Sequence, residues 1–224
     1  MPPPVEPGTP GPIGILGGTF DPVHYGHLRL AEEGREALRL DSVIWIPAGQ
    51  PPHRGAPRAR GTHRLAMVRL AIGDNAGFSV DASEVESDSP SYTTVTLERL
   101  RARLGAVRPL VLLLGVDAFL GLTTWHRWRD LFALAHFGIA NRPGFRLHQS
   151  DLPEPLASEL RQRWCESPEV LRSSPAGRIV PFDMTLLGIA ATRIRLGLES
   201  GRSCRYLLPD CVREYIESNR LYRP

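Results

Sequence analysis

The chain contains no lysine: its 27 lysine-plus-arginine positions are all arginine. That excludes a phosphate loop of the G-x-x-x-x-G-K-[ST] type, a lysine Schiff base and a pyridoxal enzyme, and it removes the K-M-S-K-S-type loop that a fragment like a class I aminoacyl-tRNA synthetase would need. Cysteine is scarce. Cys165, Cys204 and Cys211 cannot all pair with one another, and their spacing fits neither a zinc site nor a disulfide framework, which leaves buried or incidental thiols. No apolar run is long enough to span a bilayer, and the N-terminus lacks a basic region followed by a hydrophobic one. The expectation is a soluble cytoplasmic protein with no membrane partner. A formal net charge of only +3, with the arginines spread along the chain, argues against a nucleic-acid partner. A small anionic substrate needs only a local basic pocket.

The hydrophobic and charged fractions, 42% and 23% of 224 residues, are those of an ordinary globular protein able to bury a core. Residues 1–12 are mostly proline and glycine and read as a flexible tail outside the fold, leaving residues 13–224 as one domain. Apolar runs at Ile13 to Leu16, Ser42 to Pro47, Leu110 to Leu114, Phe137 to Ala140 and Ile179 to Phe182 read as strands, with Phe78 to Val85 alternating like an edge strand. Helical spacing covers Leu28 to Leu40, Thr62 (as cap) to Ile72, Ser91 to Leu104, and Ala118 to Ala135 on both sides of an interruption at Thr123 to His126. Phe145 to Ala176 has poor periodicity apart from a short helix around Pro155 to Trp164, and is expected to be a surface excursion. Helices over Thr192 to Leu198 and Pro209 to Asn219 close the chain. Strands alternating with helices give the α/β class: a Rossmann-like doubly wound parallel sheet, with a small C-terminal helical part over about 188–222.

One stretch organises the rest, Gly17-Gly18-Thr19-Phe20-Asp21-Pro22-Val23-His24-Tyr25-Gly26-His27. It lies between the first strand and the first helix, where open α/β sheets bind ligands and where a helix N-terminus offers N–H groups to an anion. Gly17 and Gly18 allow close backbone approach; His24 and His27 add two hydrogen-bonding or cationic tips. A structural or metal-binding histidine pair is the alternative, but no third and fourth ligands are recognisable nearby, and the glycines favour phosphate. Asp21 and Pro22 read as turn-formers.

This run resembles the G-G-T-F-D-P-x-H-x-G-H signature of bacterial nicotinate-nucleotide adenylyltransferases, a branch of the nucleotidyltransferases with an H-x-G-H pair. Further segments carry the likeness. Pro51-Pro52-His53-Arg54 is similar to the P-P-H-[KR] loop that closes over the mononucleotide; a solvated basic loop is the plainer alternative. Ser91-Tyr92-Thr93-Thr94-Val95-Thr96-Leu97 is similar to S-Y-T-x-x-T-L, a helix start whose hydroxyls and N–H groups suit a carboxylate. In the family it receives the nicotinate ring together with an aromatic residue corresponding to Trp125, which otherwise is a packed aromatic in a helix break. Gly115-Val116-Asp117 resembles a G-x-D segment, with Asp117 placed either for ribose hydroxyls or as an N-cap. Asn141-Arg142-Pro143-Gly144 resembles T-R-P-G, Arg142 helping to close the pocket. Ile189-Ala190-Ala191-Thr192-Arg193-Ile194-Arg195 resembles I-S-S-T-x-I-R with alanine at both serines: Thr192 can cap a helix facing ATP phosphates, Arg195 can reach the same anion, and Arg193 points to the surface.

The resemblance implies transfer of the adenylyl group of ATP to nicotinate mononucleotide, giving deamido-NAD and pyrophosphate. His24, His27 and Arg195 are then catalytic. ATP falls to Gly17, Gly18, Thr19, Phe20, His24, His27, Asp117, Ile189, Thr192 and Arg195, and the mononucleotide to His53, Arg54, Tyr92, Thr93, Trp125 and Arg142. Magnesium is expected to be bound mainly through substrate phosphates, with no dedicated metal ligands. A homo-oligomer is compatible with the sequence. Two alternatives stay open: another acceptor (nicotinamide mononucleotide, phosphopantetheine, or a cytidylyl transfer to a phosphorylated alcohol), or, given the missing serines, a nucleotide-binding regulator without activity.

Overall fold

A computed structural model of the chain describes residues 10–51, 55–141, 152–185 and 187–223. Six strands, β1 (Ile13–Gly18), β2 (Ser42–Pro47), β3 (Phe78–Val80), β4 (Leu110–Gly115), β5 (His136–Asn141) and β6 (Ile179–Asp183), form one sheet in the order β3-β2-β1-β4-β5-β6. Every pairing is parallel. Between them run α1 (Tyr25–Ala37), α2 (Gly61–Ile72), α3 (Thr93–Leu104), α4 (Val116–Leu120), α5 (Leu131–Leu134) and α6 (Glu154–Arg163), and α7 (Ala191–Glu199) and α8 (Asp210–Ser218) follow β6. This is the doubly wound architecture that the alternation of elements predicts.

Period-two alternation sorts the strands' apolar residues onto two faces, because neighbouring side chains point to opposite sides of a sheet. Ile13, Ile15, Ile44, Ile46, Leu110, Leu112 and Leu114 pack with Leu97 and Leu100 of α3, Phe132 of α5 and Leu156 and Leu160 of α6. Leu16, Val43, Trp45, Val111 and Leu113 pack with Ala31 of α1, Met67 and Val68 of α2, Ile194 of α7 and Val212 and Ile216 of α8. The two last helices therefore share the core of α1 and α2.

Several features differ from the sequence reading. The edge strand ends at Val80, because the buried Asp81 carboxylate turns the chain by accepting from the Ser83 N–H at 3.0 Å and pairs with Arg103 at 2.9 Å. Arg60, not Thr62, is the N-cap of α2. The Thr123 to His126 interruption is wider than expected, so that only α4, two short 3-10 turns and the four-residue α5 span residues 116–134. The expected excursion is not superficial in its described part: Leu156, Ala157, Leu160 and Leu171 are buried. Burying Leu156 and Leu160 alone is worth about 3–6 kcal/mol as an upper figure, enough to hold α6 to the sheet. Of the expected tail, residues 1–9 lie outside the described residues, whereas Gly11 and Pro12 are buried and the Pro12 carbonyl accepts from the Asp41 N–H at 2.9 Å.

His136, at the start of β5, is fully buried with both ring nitrogens engaged: Nε2 lies 2.8 Å from the Ser174 carbonyl and Nδ1 accepts from the Arg178 N–H at 3.0 Å. That pattern fits only the neutral ring, since a proton on Nδ1 would displace the Arg178 donor. Burial pushes this imidazole down to about 4, as it does that of His24. Because both folded values lie below the unfolded value near 6.5, stability is complete above that pH and is lost as pH falls toward 4, by up to about 3 kcal/mol for each ring. Urea midpoints should therefore decline between pH 6.5 and 4.5, and His136→Gln should make that decline shallower by one proton. An unchanged pH dependence in the variant would exclude His136 as a source.

Candidate active site

The two middle strands part company at their carboxyl ends. β1 stays paired with β2 as far as Gly18 opposite Pro47, but its pairing with β4 stops at Ile15 opposite Leu112. The crossovers reverse direction at this point, so no loop fills the gap. A cleft of about 1060 Å³ opens here, walled by Gly17, Gly18, Leu113, Leu114 and Gly115.

Three helices begin on its wall. His24, Tyr92 and Ala190 are the N-caps of α1, α3 and α7, and all line the cleft; Tyr92 and Ala190 make no side-chain cap, whereas at α1 His24 and His27 face each other in a capping box. Their first-turn N–H groups thus converge on one space, with the positive ends of three helix dipoles, which is an environment for polyanions. Ala190 shows that the missing serines cost hydroxyls but not this geometry. Thr192, expected as the cap, lies inside α7 instead, where its Oγ1 accepts from Arg195 Nη2 at 3.2 Å.

His24 and His27 stack with ring centroids 3.8 Å apart and planes at 23°. Gly26 makes room for this, since a Cβ there would stand 3.0 Å from the His24 ring. Gly18 serves packing as well: its Cβ would meet the Phe20 ring at 2.9 Å, and Phe20 in turn sets its edge against His27 at 5.1 Å. Gly17, by contrast, leaves open space toward the cleft. His27 Nδ1 accepts from the His24 backbone N–H at 3.3 Å, which assigns the proton of its neutral ring to Nε2. His24 is buried and neutral at pH 7, and its Nδ1 meets no hydrogen-bond partner among the described residues. A buried ring nitrogen left without a partner costs about 1–3 kcal/mol.

The opposite wall is aromatic. Trp125 is half-buried against the Ile15 face of the core and also lines the cleft, so packing and ligand contact are compatible there. Tyr92 stacks on His126 at 4.3 Å, a partner that the sequence reading missed although His126 directly follows Trp125. Of the hydroxyls expected to greet a carboxylate, most are already spent: Ser91 Oγ accepts from the Gly49 and Gln50 N–H groups at 2.9 and 3.2 Å, Thr94 donates to the His126 carbonyl at 3.0 Å, and Thr96 bonds Glu84. Thr93, at the first position of α3, is the one that lines the cleft without such a bond among the described residues. Asp117 sits in the first turn of α4, whose N-cap is Gly115, and lines the cleft too.

Thr19, Ile189, Thr192 and Arg195 complete the convergence, while Arg193 is exposed elsewhere on α7, as its position in the helix predicts. His53, Arg54 and Arg142 lie outside the described residues. Two further polar groups hold the site from behind. Asp21 does more than shape a turn: its carboxylate is 4% exposed and accepts from the Arg58 and Ala59 N–H groups at 2.8 and 3.1 Å and from the Tyr222 hydroxyl at 2.7 Å. Arg64, 1% exposed, donates to the carbonyls of Thr19, Ala59 and Gly49 at 2.7, 3.1 and 3.1 Å. Its place was readable: Arg64, Met67, Val68 and Ala71 follow i, i+3, i+4, i+7, which sets Arg64 on the apolar face of α2.

Residues 15–178 match the cytidylyltransferase-like family model. The chain is 59% identical over 212 residues to a probable nicotinate-nucleotide adenylyltransferase of Dechloromonas aromatica (strain RCB), covering 95% of this chain and 98% of the relative. It is 52% identical to a protein of the same description from Halorhodospira halophila (strain DSM 244 / SL1), covering 91% and 92%. Among solved structures, a Plasmodium falciparum nicotinic acid mononucleotide adenylyltransferase complexed with NaAD superposes with a TM-score of 0.69 over 95% of this chain and 97% of that one, at 18% identity, which is a likeness of fold.

Proposed function

The chain belongs to the nicotinate-nucleotide adenylyltransferases of the cytidylyltransferase-like family, and from that premise we propose how its cleft carries out the reaction. The enzyme joins ATP and nicotinate mononucleotide. A phosphate oxygen of the mononucleotide attacks the α-phosphorus of ATP, the bond from that phosphorus to the β-phosphate oxygen breaks, and pyrophosphate leaves with the electron pair. The attacking oxygen is already ionised at neutral pH, so no general base is required. What the protein must supply is alignment of two anions and stabilisation of charge on the leaving group.

The observation that carries this reading is the convergence of three helix N-termini, those of α3 and α7 without a side-chain cap, on the stacked pair His24 and His27. Gly17, Gly18, Thr19 and Phe20 form the turn along which the triphosphate lies, with Ile189 and Thr192 at the start of α7 and Arg195 one turn on. Neutral His24 and His27 donate hydrogen bonds that strengthen as negative charge grows on the transferring phosphate. Asp117 is placed for ribose hydroxyls. Trp125 and Tyr92 offer faces to the electron-poor pyridine ring, and Thr93 with the α3 N–H groups meets the nicotinate carboxylate. His53, Arg54 and Arg142 are assigned to the mononucleotide through the family resemblance. Among the described residues there is no cluster of three metal-ligating side chains. A magnesium ion would sit mainly on substrate phosphates and water, where it would neutralise phosphate charge.

The test is pyrophosphate release from ATP and magnesium with nicotinate mononucleotide or nicotinamide mononucleotide as acceptor, each product being identified by chromatography. Strong preference for the acid is expected. Equal use of both acceptors would remove the carboxylate role of Thr93 and α3, and ATP binding without turnover on any acceptor would favour the inactive regulator.

A further inference from the structure

Tyr222 lies 201 residues from the turn that it touches. Its side chain is buried, packed with Phe20, Ile194 and Ile216, and its hydroxyl donates to Asp21 Oδ1 at 2.7 Å. The same carboxylate takes the Arg58 N–H on Oδ2 and the Ala59 N–H on Oδ1. The backbone carbonyl of Asp21 accepts from Arg195 Nη1 at 2.6 Å, and that nitrogen stands 3.8 Å from Asp21 Oδ2. Arg195 is thus anchored by a neutral carbonyl while a carboxylate waits just beyond hydrogen-bond range. Two anions compete for one guanidinium: Asp21 from within the protein and a phosphate from the cleft.

Resting on the reading of Arg195 as a phosphate-binding residue, we propose that Tyr222 is a positioning residue for ATP. By engaging the Asp21 carboxylate, it keeps Arg195 directed at the cleft. Three donors spread the carboxylate charge over bonds already made. Without the hydroxyl, Oδ1 keeps only the Ala59 N–H, and the Arg195 guanidinium, already bonded to the Asp21 carbonyl and to Thr192 Oγ1, stands 3.8 Å from Oδ2 as the ion-pair partner at hand among the described residues. With Asp21 buried and Arg195 partly exposed at the cleft, closing 3.8 Å to a direct ion pair is favourable, and the guanidinium would then be spent on Asp21. Burial and the neighbouring carboxylate both push the Tyr222 hydroxyl upward, so it stays a donor throughout the working pH range. No bond to substrate is involved.

Tyr222→Phe keeps the ring and removes only the donor. The expected result is a rise of about tenfold in the KM for ATP and in its dissociation constant measured by calorimetry, a change of less than twofold in the KM for the mononucleotide, and a fall of a few degrees in Tm. The change should be non-additive with Arg195→Lys, because both variants act on the same contact. Unchanged ATP parameters with a lowered Tm would reduce Tyr222 to packing and overturn the proposal. Equal weakening of both substrates, or full additivity with Arg195→Lys, would overturn it as well. Calorimetric ATP binding separates this outcome from failure of the functional reading: were the wild-type protein to release no pyrophosphate, the loss of ATP affinity in Tyr222→Phe would still be read directly.

Discussion

Replacing His27 by alanine should lower kcat by about 10²–10³ while leaving Tm within a few degrees of the parent. His27 is partly exposed on the first turn of α1, edge-on to Phe20 and stacked on His24, so its removal opens space toward the cleft and leaves the core intact. The bond from the His24 N–H to Nδ1 is a long one at 3.3 Å, and leaving that N–H without it costs about 1–3 kcal/mol at most, which is a few degrees for a chain of this size. On the proposed mechanism, what disappears is a ring N–H that would donate to charge developing as pyrophosphate departs. An interaction made chiefly in the transition state is read in kcat more than in KM, and steady-state kinetics on both substrates provide the check. Near-normal turnover would remove His27 from the chemistry, whatever its place in the cleft.

Arg64→Met should be the most destabilising single change, by about 3–5 kcal/mol, or roughly 10 °C or more in Tm for a chain of this size. Methionine fills much of the space but leaves the carbonyls of Thr19, Gly49 and Ala59 without their shared donor, that of Ala59 in a buried segment. Lysine should not rescue, since three carbonyls in different directions need the planar fork of a guanidinium and not a single ammonium. Urea denaturation of Arg64→Met and Arg64→Lys tests both statements. A midpoint unmoved in either variant would show that the three bonds contribute nothing net.

Much of this was open to a reader of the sequence, for identifiable reasons. Leu110 to Leu114 and Ser42 to Pro47 are short runs buried on both faces, a signal that competes with little else, and both strands form there. The turn from Gly17 to His27 was legible because its residue types are rare in combination. Failures came where a side chain overrode local preference. Asp81 ends β3 early by bonding its own backbone two residues on, and Ala190 occupies a cap position that Thr192 suited better by type. α6 looked superficial since only Leu156, Ala157 and Leu160 among ten residues are buried, too narrow a stripe to separate from noise. Asp21 was read by its local habit of forming turns, whereas its partners Arg58, Ala59 and Tyr222 are 37 to 201 residues away. Pattern reading along a chain sees neighbours in sequence; the polar ties behind this cleft are neighbours only in space.

The bond between Asp21 and Tyr222 also has a bearing on how the protein is made. Translation delivers the glycine turn early and its distant tyrosine 201 residues later, an interval of about 10–40 s at 5–20 residues per second. Through most of that interval β1, α1 and β2 can pair and pack without the arginine of α7, which is made 174 residues after Asp21, and until the end of it the carboxylate lacks its third donor. On the proposed roles, a nascent chain carries the glycine turn and the histidine pair well before the arginine of α7 and the tyrosine that positions it, so full competence to bind nucleotide would come only near the end of synthesis.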